Sequence, residues 1–488
     1  MDERSNGERL EAALAERNVE LAARDAELAA RDAELAVCNA RIVQLEQAVA
    51  ELRELLGRNS KNSNKPPSSD APGSSSKRRA SKSKEKRKRG GQKGHQGSRR
   101  ELAPADDVDR FVELFPAECE SCYRPLAETP DVFAKRYQQV ELEPLAPQLT
   151  EYRRHAVVCA CGYKTRAAYD ASVIPQRAFG PRLMAAVALL TGVYHLSRRE
   201  TVRLLRELLG VRMSLGSVSA IERRVSEAIQ SQVDEALDVA RGADVKHTDG
   251  TSWYRCAALW SLWTLATAAV TVFKIVANGK RDTLQDLLGN TSGILVSDRA
   301  TALKFWPMNR RQVCWAHLLR KFVSFSERDG PTGEVGKELL DYAALLFTYW
   351  GKFREGEVSR EELLAHMAPV RLHFEAALER AVAMKLRGLS GSCADLLQHR
   401  EALWTFLDSK GVEPTNNHAE RELRGFVLWR RRSFGTQSER GDRFAERIMT
   451  LAHTARKQGR DILTFLHACC ARAAANNVGD VPSLFAAG

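Results

Sequence analysis

The chain contains no run of the roughly twenty uninterrupted apolar residues that a helix needs to cross a bilayer, which excludes a spanning helix. Its opening residues, MDERSNGERLEAALAER, are charged where a secretory leader would be apolar, so a cytoplasmic protein with no membrane partner is expected. Cysteine is scarce, ten in 488 residues, which excludes a disulfide-stapled scaffold. With no leader the compartment is reducing, and close cysteine pairs there suggest metal ligation. Acidic residues are nearly missing from 58–100, where fifteen Lys or Arg face only Asp70 and Glu85, a local net of +13 within a total of +12. Large apolar residues are nearly missing from the same stretch, so it cannot bury enough surface to order itself.

That stretch reads as a flexible basic tether, densest at Lys86, Arg87, Lys88 and Arg89. It can serve as a solubilising linker or bind nucleic acid by counterion release. Ahead of it Leu14, Leu21, Leu28, Leu35, Ile42, Val49 and Leu56 recur every seven residues. This is the spacing of a coiled coil. Leu45 and Leu52 complete an a/d seam in the second half, whereas Arg17, Arg24 and Arg31 hold the equivalent earlier positions. Association into a homo-oligomer through the C-terminal half of this helix is therefore expected. A lone amphipathic helix is the alternative.

At 488 residues, with 44% hydrophobic and 28% charged, the chain is long enough for about three globular domains. Beyond the tether, Cys119-x-x-Cys122 and Cys159-x-Cys161-Gly162 form two knuckle-like pairs separated by a stretch that reads as strand-rich, 133–158. Four thiolates close a tetrahedral structural zinc site. The other reading is buried, unliganded cysteine. Residues 181–241 have helical spacing. Within them ETVRLLRELLGVRMSLGSVSAIERRVSEAI reads as helix, Gly-containing turn and helix, with Ser214 or Ser217 as cap of the second. This spacing suits a DNA-reading helix-turn-helix or an ordinary helical hairpin.

Three acids lie in settings that suggest convergence. Asp249 follows ADVKHT and precedes WYRCAALWSLWTLATAAVTVFKIVA, which reads as two or three adjacent strands; Asp298 ends the short apolar run GILVS. Glu420 lies in NNHAERELRGFVLWRRRSFGTQSERG, where Asn416 or Asn417 can cap a helix. Two hard cations that clamp an in-line displacement at a phosphodiester take such oxygen ligands, although any single acid is more often a solvated surface group. Arg421, Arg424, Arg430, Arg431 and Arg432 follow Glu420 in sequence and suit phosphate contact, or else form a solvated face. After Asp298, ATALKFW reads as helix, QVCWA as strand and HLLRKF as helix, an element order like that of ribonuclease H. Residues 326–407 read as a helical insertion. Cys314 and His317, in C-W-A-H, are read as packing near the acids, without a metal.

Taken together, NSKNSNKPPSSD, GGQKGHQG, the paired cysteines, the Asp249 segment, CWAHLLRKF, NNHAER and RRRSFGTQSERG make the chain resemble, almost end to end, bacterial DDE transposases of the insertion-sequence-66 family. The resemblance implies that Asp249, Asp298 and Glu420 are the catalytic triad, binding two magnesium or manganese ions in a ribonuclease-H-like core. It implies cleavage of double-stranded DNA at element ends and strand transfer into a target, and companion proteins of the same element are usual in the family. A metal-dependent nuclease and a DNA-binding protein with a retired core are the alternatives. The family usually carries Asp-Glu-Thr where this chain has Asp249-Gly250-Thr251, and Asp where Thr415 stands.

The expected fold is multidomain α+β. It comprises a coiled coil (1–57), a basic linker (58–104), a zinc-binding module (105–176) and a helical, DNA-binding domain (177–242). A ribonuclease-H-like α/β catalytic core follows in two parts (243–325 and 408–488), with the helical insertion (326–407) between them.

Overall fold

The computed structural model describes residues 2–59, 61–63, 101–142, 145–169, 178–475 and 482–485. In chain order, α1 (Asp2–Gly57) leads to a small hairpin of β1 (Ala156–Val158) and β2 (Lys164–Arg166), then to α2 (Pro181–Ala188), α3 (Arg198–Leu209), α4 (Leu215–Ala228) and α5 (Gln230–Gly242). Next come β3 (Val245–Arg255), β4 (Ala258–Ala266), β5 (Thr271–Val276), α6 (Arg281–Leu288), β6 (Ile294–Ser297), β7 (Arg311–Val313) and α7 (Trp315–Ser326). The chain ends with α8 (Pro331–Arg354), α9 (Arg360–Ala383), α10 (Ser390–Gln398), α11 (Arg400–Asp408), α12 (Asn417–Ser433), α13 (Glu439–Lys457) and α14 (Ile462–Ala474). The mixed α+β character is as expected. Two compact units divide these elements: one of Met1–Ser75, Asp238–Trp253 and Leu259–Val427, the other of Ser76–Leu237, Tyr254–Ala258 and Leu428–Gly488.

In the first unit, α1 leaves its heptad residues in solvent, with Leu14, Leu21, Leu28, Leu35 and Ile42 each more than half exposed. No helix of the described residues is long and apolar enough to cross a membrane. The unit's sheet has the order β5-β4-β3-β6-β7. β4 and β5 pair antiparallel, while β6 lies parallel to β3 and β7 parallel to β6. Cys256 and Ala257, both at positive φ (48° and 63°), turn the chain from β3 into β4, the conformation that matches the twist of a two-residue hairpin. The strands form where aromatic and β-branched residues concentrate, and Trp253, Leu262, Leu265, Val272 and Phe273 are fully or nearly fully buried.

One correction concerns ATALKFW, expected to be helical. It forms only a single 3₁₀ turn at Thr301–Leu303. Pro307 follows directly, with φ at −57° and no N–H to donate, so an α-helix cannot propagate through it. The helices α7 to α11 share one core with the sheet: Val296 and Val313 of the strands belong to the same buried cluster as Trp315, Phe322, Phe374, Trp404 and Phe406.

In the second unit the expectation of strands over 133–158 is also corrected. Among the described residues of that stretch only Ala156–Val158 is a strand, paired with β2. Phe133, Tyr137 and Leu149 are 87–96% exposed, so their β-propensity finds no sheet face on which to pack. The helical part packs α14 and α4 on α2, and α13 on α4. α3 begins with a capping box of Ser197 and Glu200 and ends at Gly210 (φ 65°), while Ser214 accepts from the Ser217 N–H to cap α4. Of the two candidate caps, Ser214 is thus the one used. A π-helical turn, Leu189–Val193, follows α2. Gly192 sits there because a Cβ would lie 2.6 Å from the Ile448 side chain.

Candidate active site

The parallel register of β3 and β6 sets the site. His247 lies opposite Val296, so two residues further along each chain, on the same face of the sheet, Asp249 comes alongside Asp298. Glu420 enters from the first turn of α12. The three carboxylates are near enough to interact: burial, then the charges of Asp298 and Glu420, push the Asp249 carboxyl up to about 7. The Gly250 N–H, donated to Asp249 Oδ1 at 2.9 Å, and the nearby Arg320 guanidinium act in the opposite direction.

Each acid is held by residues that are not acids. Arg311, fully buried at the start of β7, donates from Nη2 to the Asp298 carbonyl at 2.7 Å, from Nη1 to the Leu303 carbonyl at 3.3 Å and from Nε to Ser297 Oγ at 3.3 Å. The Ala300 N–H donates back to Asp298 Oδ1 at 2.9 Å. Asn416, also fully buried, stands immediately before α12 and was expected as a possible cap. Its side chain turns instead to β3, where Nδ2 donates to the Thr248 carbonyl at 2.8 Å and Oδ1 lies 3.2 Å from His247 Nδ1. The Asn416 N–H donates to Cys314 Sγ at 3.1 Å, and the Asn416 carbonyl accepts from the Glu420 N–H. One residue thus ties the strand of Asp249, the end of β7 and the helix of Glu420.

Around Glu420, Arg320 Nη2 lies 3.7 Å from Oε2 and His317 Nδ1 3.8 Å from Oε1. Both His317 Nδ1 and Glu420 Oε1 are buried without a hydrogen-bond partner. Burial holds the His317 imidazole below its usual range, with Glu420 acting the other way. Cys314, His317 and Glu420 each place a ligand atom within 4.8 Å of the others, and among the described residues they are the one such group of three or more. Burial pushes the Cys314 thiol up to about 11, and its Sγ accepts the Asn416 N–H.

Gly250, where the resemblance would have Glu, faces the Trp263 ring: a Cβ there would lie 2.8 Å from the indole. The departure from the family pattern is thus matched by a tryptophan that fills the space. Arg421 and Arg424 are exposed on α12. Arg430, Arg431 and Arg432 lie on the part of that helix belonging to the second unit, Arg430 partly buried and the other two exposed. Lys86, Arg87, Lys88 and Arg89 lie outside the described residues.

The cysteine pairs form two tight turns, with the Cys119 carbonyl accepting from the Tyr123 N–H and the Cys159 carbonyl from the Gly162 N–H, both at 2.8 Å. Hydrogen bonding from Cys122 lowers the Cys119 thiol, and from Cys161 the Cys159 thiol. The structure brings each pair together but not the four cysteines into one cluster. Sequence reasoning missed Arg311, Arg320 and the pivot role of Asn416. Only an Arg flanked by the apolar VCWA run hinted at burial.

A mixed sheet sets Asp249 and Asp298 near one another, with Glu420 on an adjoining helix close enough to act on Asp249. The family described as Transposase IS66 family matches residues 176–443, and the chain belongs to it. Residues 16–101 match a family of unknown function (DUF6444). No curated protein matches the chain.

Proposed function

We propose that this transposase is a DDE enzyme that cleaves DNA at the ends of its element and joins the freed end to target DNA. The observation that carries the reading is that the β3–β6 register brings Asp298, just past β6, toward Asp249, whose carboxyl is raised by burial and then by the charges of Asp298 and Glu420. Support for a ribonuclease-H-like core comes from the strand order, in which an antiparallel β3–β5 side meets parallel β6 and β7. In the first step a water oxygen attacks the end phosphorus and the 3′ oxygen leaves as a hydroxyl. In the second that hydroxyl attacks a target phosphorus and displaces the target's own 3′ oxygen.

The donor set suits hard divalent cations, because Asp298 and Glu420 stand near enough to Asp249 to raise its carboxyl and Glu420 Oε1 is buried without a hydrogen-bond partner. Two magnesium or manganese ions held by Asp249, Asp298 and Glu420 would stabilise charge on the attacking and leaving oxygens. Arg311 and Asn416 fix where the carboxylates stand, and Arg421 and Arg424 grip phosphates along α12. Cys119, Cys122, Cys159 and Cys161 would hold a structural zinc once the two pairs meet around it, the basic tether adds sequence-independent DNA affinity, and α1 joins copies of the chain.

Incubating the protein with DNA bearing the element's ends, magnesium and a supercoiled target should yield joined products. Asp298→Asn should abolish cleavage and joining and keep DNA binding. Cleavage without joining would replace the proposal with a simple nuclease, and wild-type protein inert with both magnesium and manganese would support a retired core.

A further inference from the structure

The second unit contains a cleft of about 840 Å³, lined by the residues that precede and open α3, by α4, by the last turn of α12 and by the start of α13. Its volume lies in the range of small-ligand sites. Two rings stack in its wall: His195 and Trp429, with centroids 4.9 Å apart and planes 28° from parallel. The histidine is held there by its backbone. His195 has φ 56°, unusual for a side chain of its size, and the Leu196 N–H donates to the Leu190 carbonyl at 3.0 Å to close the turn. The opposite wall is equally constrained, since Gly435 (φ 93°) stands where a Cβ would meet the Tyr254 carbonyl oxygen.

The lining is cationic, with five arginines against Glu200 and Glu222. Both acids are already engaged, Glu222 by Arg198 at 2.5 Å and Glu200 in the cap of α3. Arg199 and Arg432 are exposed at the cleft, and Arg223 lies 4.0 Å from Glu227. Flat aromatic faces within a ring of guanidinium groups suit a ligand that is itself a flat ring attached to phosphates. Bases stack on aromatic side chains whatever their identity, and Arg binds phosphate. Inside an intact duplex both faces of a base are covered by its neighbours. A base can therefore reach a recessed stacking wall only after leaving the helix.

We infer that this cleft holds one unpaired DNA nucleotide, with its base against the His195–Trp429 pair and its phosphates on Arg199, Arg223 and Arg432. The inference rests on the chain acting on DNA. It assigns Trp429 and Arg432 to a binding site other than the carboxylates, and no step of strand transfer depends on it.

The test uses the full chain and fluorescence anisotropy with two probes of about thirty base pairs, identical except that one carries a bulge of three unpaired thymidines. Wild type should prefer the bulged probe. Trp429→Ala should weaken binding to it about 5- to 100-fold, the range for loss of one base-stacking contact, and leave the paired duplex within about twofold. Trp429→Phe, which keeps a ring, should retain most of the preference. Arg432→Ala, at an exposed position with no packing to lose, should reduce the salt slope on the bulged probe by about one. Equal wild-type affinity for the two probes, or equal weakening of both by Trp429→Ala, overturns the cleft assignment and leaves the DNA-acting reading standing. Binding of neither probe overturns both.

Discussion

Replacing Asp249 by Asn should stabilise the metal-free protein above neutral pH. In the folded chain the Asp249 carboxyl is pushed from 3.8 to about 7, by burial first and then by Asp298 and Glu420, with Arg320 only partly offsetting them. A rise of about three units corresponds to about 4 kcal/mol of preference for the protonated form. The sign follows from proton counting. Between pH 4 and 7 the folded state binds more protons at this site than the unfolded state, so stability falls as pH rises through that window and stays low above it. Linkage places about 2–3 kcal/mol of the loss between pH 5 and 8. Asparagine has nearly the same shape and never ionises. With chelator present, the melting temperature of the variant relative to wild type should rise by about 5–10 °C between pH 5 and 8, taking roughly 2–4 °C per kcal/mol for a unit of this size. Saturating magnesium or manganese should reverse the order at pH 8, because a bound cation favours the ionised carboxylates. Scanning fluorimetry at the two pH values, with and without metal, is sufficient. A pH-independent difference, or a variant no more stable than wild type at pH 8 without metal, would refute the placement of the three carboxylates.

Asn416→Ala removes two buried side-chain interactions, among them the donor to the Thr248 carbonyl; a loss of about 2–4 kcal/mol is expected in denaturant titration. Its DNA-cleavage rate should fall further than stability alone explains, measured at a temperature where the variant is fully folded. Gly250→Ala should cost about 1–3 kcal/mol by forcing the Trp263 ring to move, and adding Trp263→Leu should recover part of that loss in a double-mutant cycle. Metal analysis of protein purified without chelator should find one zinc per chain, and none in a Cys119→Ser, Cys122→Ser variant; zinc-free wild type would sink the four-cysteine site. Deleting residues 1–57 should lower the oligomer mass in light scattering, and an unchanged mass would remove α1 from assembly.

What was legible in the sequence followed from periodicity and local chemistry. The strands around Asp249 and Asp298 stood out because Trp, Leu and Val crowd a sheet that is buried on most of its length. The Gly-containing turn at Gly210 and the cap at Ser214 separated α3 from α4 by residue type. The errors have physical origins too. Apolar residues in 133–158 looked like strands because propensity says nothing about whether a partner is present, and most remain exposed. ATALKFW has helical composition, but Pro307 and the short span between β6 and β7 leave it a single 3₁₀ turn.

The residues that shape the site were harder to read because their role lies in contacts across long sequence separations. Arg311 begins a strand next to Arg310 and looks like surface charge until its guanidinium is seen gripping the carbonyl of Asp298. Asn416 looks like a helix cap until its amide is seen on β3, more than a hundred and sixty residues away in sequence. Both satisfy buried backbone oxygens, so each costs the fold little where it stands and much if removed. The Asp249 carboxylate, by contrast, is unfavourable where it stands, since burial first and then the charges of Asp298 and Glu420 raise it toward neutrality. A buried guanidinium and a buried amide fix the backbone on which the carboxylates stand, so the site follows from the neutral and basic neighbours as much as from the acids.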